Sequence, residues 1–183
     1  MERAGSTSKA VWSERRKCSL SLVAILLVSF GCASQAHTGT SRSVKKKTVD
    51  FAFSGIDGQV VSDESTTGRV TVILFAATFD LDSQTQAKTL EDLYRTHAPR
   101  LNAVLVFLEA PQYVELARSF RDVLRLSYPV ALGDHEDIRA GGSFPPVYAV
   151  PTWVVLDRGS RMHAMHEGAL DSAALRKLAE AAE

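Results

Sequence analysis

Beyond residue 32 the chain has no cysteine; its two thiols are Cys18 and Cys32. Residues 33–183 therefore have no internal disulfide, no thiolate nucleophile and no thiolate metal ligand. A charge bias is also missing: 21 basic residues balance 21 acidic ones. The chain as a whole has no electrostatic pull toward nucleic acid or an anionic membrane. No Gly-x-Ser-x-Gly elbow and no phosphate-cradling glycine loop occurs, and Gly141-Gly142, followed by Phe-Pro-Pro, reads as a loop. No internal repeat is visible. The longest early apolar stretch, residues 18–30, falls short of the ~20 residues that span a bilayer.

What is there begins with a leader. Arg15, Arg16 and Lys17 precede residues 18–30, and Gly31-Cys32 follows. This reads as a signal peptide over residues 1–32. The segment VSFGC (28–32) resembles a bacterial lipobox, in which Cys32 is acylated and becomes the mature N-terminus. That implies export to the cell envelope and a lipid anchor facing the periplasm; the other reading is an ordinary signal or an uncleaved anchor. Residues 33–48 are small, polar and basic, the composition of a flexible linker. A single folded domain is expected over residues 49–183.

Within it, alternation at residues 49–53 and 59–62 around Asp57-Gly58 predicts an N-terminal β-hairpin. Residues 63–68 read as a polar loop. Residues 69–79 form an apolar run, the pattern of a strand buried on both faces. Asp80, Asp82 and Ser83 then compete to start a helix running to about His97, with Ser83 and Gln86 matching a capping box. Residues 101–108 predict a second buried strand. Pro111 opens a helix with Tyr113, Leu116, Ala117, Phe120 and Leu124 on its apolar positions. A short strand at 128–132, an acidic turn at 133–142, a hairpin at 153–167 and a helix capped by Asp171 complete the chain. Strands alternating with helices predict an α/β sheet covered on both faces.

The segment FAATFDLDS (75–83) resembles the Phe-Trp-Ala-Thr-Trp-Cys-x-x-Cys signature of thioredoxin-like proteins, especially the envelope TlpA/ResA-type thiol–disulfide oxidoreductases. FAFSGIDGQVV (51–61) is similar to the N-terminal hairpin of TlpA-like and peroxiredoxin-like domains. VPT (150–152) before WVVLDRG (153–159) resembles the family's cis-proline segment. The resemblance implies a thioredoxin-like fold, a central mixed β-sheet flanked by helices. It places Asp80 and Ser83 at the two cysteine positions and implies a cis bond before Pro151. It also implies a peptide-binding backbone at Val150, with Phe79, Phe144 and Tyr148 as candidate rim residues or core. Leu74 stands where thioredoxins proper keep a buried carboxylate.

Thiol–disulfide exchange needs a thiolate and a resolving thiol, which Asp80 and Ser83 cannot supply. Helix capping is the plain role for both. Metal donors are scattered at DHED (134–137) and MHAMH (162–166). In a regular strand His163 and Met165 share one face while Met162 and His166 share the other, which splits the second set. No metal and no cofactor is expected. The expectation is a redox-inactive envelope module binding a protein or peptide at Val150, Pro151 and Phe79, with no nucleic-acid partner. The alternative is an oxidoreductase-family enzyme with altered, metal-dependent chemistry.

Overall fold

A computed structural model describes residues 48–183. The leader, Cys32 and the linker up to residue 47 lie outside the described residues. Seven strands form one mixed sheet in the order β2-β1-β5-β4-β3-β6-β7. They are β1 (Ala52–Gly55), β2 (Val60–Ser62), β3 (Val70–Ala76), β4 (Leu101–Phe107), β5 (Val130–Leu132), β6 (Thr152–Leu156) and β7 (Met162–Glu167). The helices are α1 (Asp63–Thr66), α2 (Leu81–His97), α3 (Val114–Leu124), α4 (His135–Ala140) and α5 (Ser172–Glu180).

The apolar run at β3 becomes the sheet's centre. It pairs in parallel with β4 and antiparallel with β6. All seven of its residues are buried, as continuous hydrophobicity requires of a strand covered on both faces. Val72, Leu74 and Ala76 face one core with Leu90 of α2, Phe120 of α3 and Leu175 of α5. Ile73 and Phe75 face the other with Phe51, Phe53, Ile138 and Phe144. In that second core Phe75 meets Phe53 and Phe144 edge-on at centroid distances of 6.1 and 5.4 Å. Such pairs contribute ~1 kcal/mol each beyond area burial.

Several local expectations change. Residues 63–68 are not simply a loop: α1 forms there, with Ser62 and Ser65 exchanging hydrogen bonds in a capping box. On α3 only Ala117 and Phe120 are buried; Tyr113 and Leu116 are about half exposed, because a 3-10 turn over Pro111–Tyr113 offsets the start of the helix. β7 carries a bulge, since Leu156 opposes Met162 while Val155 opposes Ala164. The extra residue, His163, breaks the two-residue period. Met162 and Met165 therefore pack against the same core, and His163 and His166 are exposed.

Candidate functional site

The site lies where β3 ends and α2 begins. Asp80, not Ser83, is the N-cap. Its Oδ2 accepts the Ser83 N–H at 2.7 Å and the Ser83 Oγ–H at 2.6 Å. Ser83 Oγ in turn accepts the Ala77 N–H at 3.3 Å. Ser83 and Gln86 therefore form no capping box, and the cap lies three residues earlier, at Asp80. Asp80 wins because a carboxylate there reaches the third N–H of the helix and complements its positive end. Gln86 is buried and instead accepts the Leu170 N–H at 2.8 Å.

Ser83 is fully buried, and its hydroxyl proton is given to a carboxylate that is also the helix cap. This pair holds the loop and the helix together. It presents no accessible nucleophile.

A second carboxylate fixes the same loop. Glu109, just past β4, accepts both the N–H and the Oγ1–H of Thr78 through Oε1, each at 2.7 Å. Its Oε2 is buried and meets no hydrogen-bond partner among the described residues. Nothing in the sequence signalled Glu109: it lies 31 residues from Thr78 in a segment that reads only as a strand end.

The β3–β6 register ends with Phe75 opposite Thr152. Val150 and Pro151 directly precede Thr152, the last β6 residue in that pairing. The Val150–Pro151 bond is cis. Pro151 is buried and its carbonyl is taken by the Gly168 N–H at 2.8 Å. Among the described residues neither the N–H nor the C=O of Val150 meets a hydrogen-bond partner. Phe79 is 84% exposed, Leu81 73% and Tyr148 69%. Phe144 is not part of the rim; it is 4% exposed and stacked in the aromatic core. Leu81 was not anticipated, because a leucine opening a helix reads as a core position.

The scattered metal donors do not assemble. Among the described residues no three His, Cys, Asp or Glu side chains come together. Asp134 is occupied as the cap of α4, accepting the Glu136 and Asp137 N–H groups.

No protein-family model matches the chain, and no curated protein matches it either. Solved structures do. A putative thiol:disulfide interchange protein DsbE from Chlorobium tepidum is 26% identical, with a TM-score of 0.64 over 76% of this chain and 99% of that one. A DsbF homologue from Corynebacterium diphtheriae is 16% identical, with a TM-score of 0.66 over 75% and 87%. The exposed lipoprotein thioredoxin Etrx1 of Streptococcus pneumoniae is 17% identical, with a TM-score of 0.59 over 72% and 98%. The fold is thioredoxin-like: a central mixed sheet flanked by helices.

Proposed function

We propose that this chain is a redox-inactive relative of the TlpA/ResA-type envelope proteins, anchored by lipid on Cys32, that binds an extended segment of an envelope protein. One observation carries the reading. Where the resemblance puts two cysteines, Asp80 and Ser83 are hydrogen-bonded to each other and spent on the helix cap. Val150, just before β6, offers an N–H and a C=O that no other group among the described residues uses.

Strand-like pairing with a backbone needs no sulfur. Main-chain bonds to Val150 would supply affinity, and apolar contacts with Phe79, Leu81 and Tyr148 would supply selectivity. Three large side chains left in water cost free energy unless something covers them. Thr78, held by Glu109, fixes the backbone just before Phe79.

The test uses the full chain in its own envelope. A photo-crosslinking residue replaces Tyr148 or Leu81 and, as a control, the equally exposed Val123 of α3. A discrete adduct is expected from 148 and 81, absent from 123, and reduced about tenfold by Phe79→Ala, the scale of a lost aromatic contact. No adduct at either position, or thiol–disulfide turnover by the purified chain, would overturn the reading.

A further inference from the structure

Charge divides the molecule along the strand direction. Ala76 pairs with Phe107, Phe107 with Leu132, and Phe75 with Thr152. β3, β4 and β5 therefore finish at one end of the sheet, and β6 begins there. From each of those strand ends through the first turn of the next long helix the chain covers residues 77–84, 108–117 and 133–138. These segments hold seven carboxylates and no lysine or arginine. Glu115 is paired with Arg118. Among the described residues the other six, Asp80, Asp82, Glu109, Asp134, Glu136 and Asp137, make no ion pair. The opposite end is built differently. There Asp57 and Asp122 are gripped by Arg121, and Asp157 by Arg161.

Helix starts account for part of this. Asp80 and Asp134 are caps, and Asp82, Glu136 and Asp137 lie in first turns, where the helix dipole favours negative charge. They do not account for Glu109. It lies outside the helices, and its Oε1 is taken by Thr78. Its Oε2 is buried and meets no hydrogen-bond partner among the described residues. A buried carboxylate oxygen without a donor costs stability, so its retention points to a use beyond the fold. Glu109 is tied to the loop that carries Phe79. In that loop the exposed Phe79 and Leu81 alternate with Asp80 and Asp82. A segment that matches it alternates apolar residues with positive ones.

We propose that the extended segment bound at Val150 is basic: its backbone pairs with Val150 while its lysine or arginine side chains answer the unpaired carboxylates of these loops. The inference rests on the binding reading above and adds the class of partner. The chain's own lysines do not suit the role. Thr48 bridges to Arg161, which precedes Met162; Met162 pairs with Leu156, and Leu156 with Thr71 near the start of β3. Thr48 is thus at the opposite end of the sheet. Lys45, Lys46 and Lys47 are within three residues of it, about 10 Å of extended chain, against the ~20 Å that a seven-residue strand spans.

The probes are two dye-labelled peptides, acetyl-Val-Lys-Val-Lys-Val-amide and its glutamate counterpart, titrated into the full-length protein. Saturable binding of the lysine peptide is expected, with slowed amide exchange at Val150 and a loss of affinity as salt is raised. The glutamate peptide should do neither. Glu109→Gln keeps an acceptor for Thr78 and removes only the charge; it should weaken the lysine peptide about tenfold, because a partly buried charge is poorly screened. Asp82→Asn should weaken it about threefold, the scale of an exposed pair. Glu64→Gln, an exposed acid of α1 before the start of β3, should change nothing. The proposal falls if both peptides bind equally, or if Glu109→Gln and Asp82→Asn bind the lysine peptide as tightly as wild type. Protection of Val150 by the glutamate peptide alone would overturn the proposal and leave the reading at Val150 standing. Protection of Val150 by neither peptide would overturn both. If the joint replacement Lys45→Ser, Lys46→Ser and Lys47→Ser tightens the lysine peptide tenfold, the chain's own lysines occupy the site and the proposal of a partner segment falls.

Discussion

Two carboxylates along α2, at its start and past its middle, gather hydrogen bonds, and they differ in what surrounds them. At the N-terminal end Asp80 caps the helix, yet Phe79 and Leu81 on either side of it in the chain stand in water. Farther along, Glu91 has a side chain 1% exposed. It accepts the Ser127 N–H at 2.8 Å and the Ser127 Oγ–H at 2.7 Å, and pairs with Arg95. Next to it buried Tyr128 donates to the Ala87 carbonyl at 2.8 Å. Here Glu91 and Tyr128 are enclosed, while their partners Arg95 and Ser127 reach water. The same helix thus encloses its carboxylate at one place and leaves large apolar side chains in water at the other. A region kept for stability alone has no reason to stop halfway, so the N-terminal end is where binding is to be sought.

The sharpest way to break this comparison is at Glu91. Glu91→Ala removes the acceptor shared by the Ser127 N–H, the Ser127 hydroxyl and Arg95. It should cost ~2 kcal/mol in urea unfolding, the scale for hydrogen bonds to a charged acceptor. Arg95→Ala should cost much less, because the Arg95 side chain is 64% exposed and its pairing is screened. The pH dependence follows. Burial alone would raise the carboxyl's affinity for protons, but the bonds from Arg95 and Ser127 outweigh it and hold Glu91 below the usual range. A lowered folded-state value means the stabilisation is present above the unfolded carboxylate value, ~4.3, and is lost as pH falls through the folded one. Stability measured from pH 6 downward should fall less steeply in Glu91→Gln than in wild type. Equal slopes would show that Glu91 is not the anchor.

At the helix start the effect is smaller. Asp80→Ala removes the cap but leaves the rest of the α2 interface intact, so ~1 kcal/mol is expected from the same urea measurement. A loss as large as that of Glu91→Ala would mean that both carboxylates are structural, and the contrast would vanish.

Much of this architecture was legible before the structure. β3 and β4 announce themselves as unbroken apolar runs, and Pro99 and Asp171 mark helix boundaries. What stayed hidden depends on partners distant in the chain or on irregular backbone. α1 is four residues long, and its capping box uses Ser65 where the pattern asks for Glu or Gln. The bulge at His163 cannot be read from a strand assumed regular. Glu109 acquires its role only when β4 lies beside β3. Phe144 and Tyr148 are four residues apart in one uncharged loop, and only packing separates core from rim.

The smallest change in stability is expected from the substitution that tests the register itself. In Asp80→Cys with Ser83→Cys, carried on a chain with Cys18→Ser and Cys32→Ser, two thiols replace two side chains that already touch, their oxygens 2.6 Å apart. Groups so placed at one helix start satisfy the short Cα separation, under about 7 Å, that a disulfide requires. The lost cap removes ~1 kcal/mol, and closing so short a loop returns ~2 kcal/mol on the chain-entropy estimate, so the oxidised variant should unfold within ~1 kcal/mol of wild type. The helix end should also lower the pKa of the first thiol beneath the ~8.5 of a free cysteine. Thiol titration after mild oxidation should find no free sulfhydryl in the double variant and one in each single variant. Peptide capture at Tyr148 should persist in the oxidised form, because the backbone of Val150 is untouched. If the folded double variant keeps two free thiols, Asp80 and Ser83 do not stand where a redox pair would. The exposed rim around Val150 would then need another explanation than a thioredoxin-like site relieved of its sulfur.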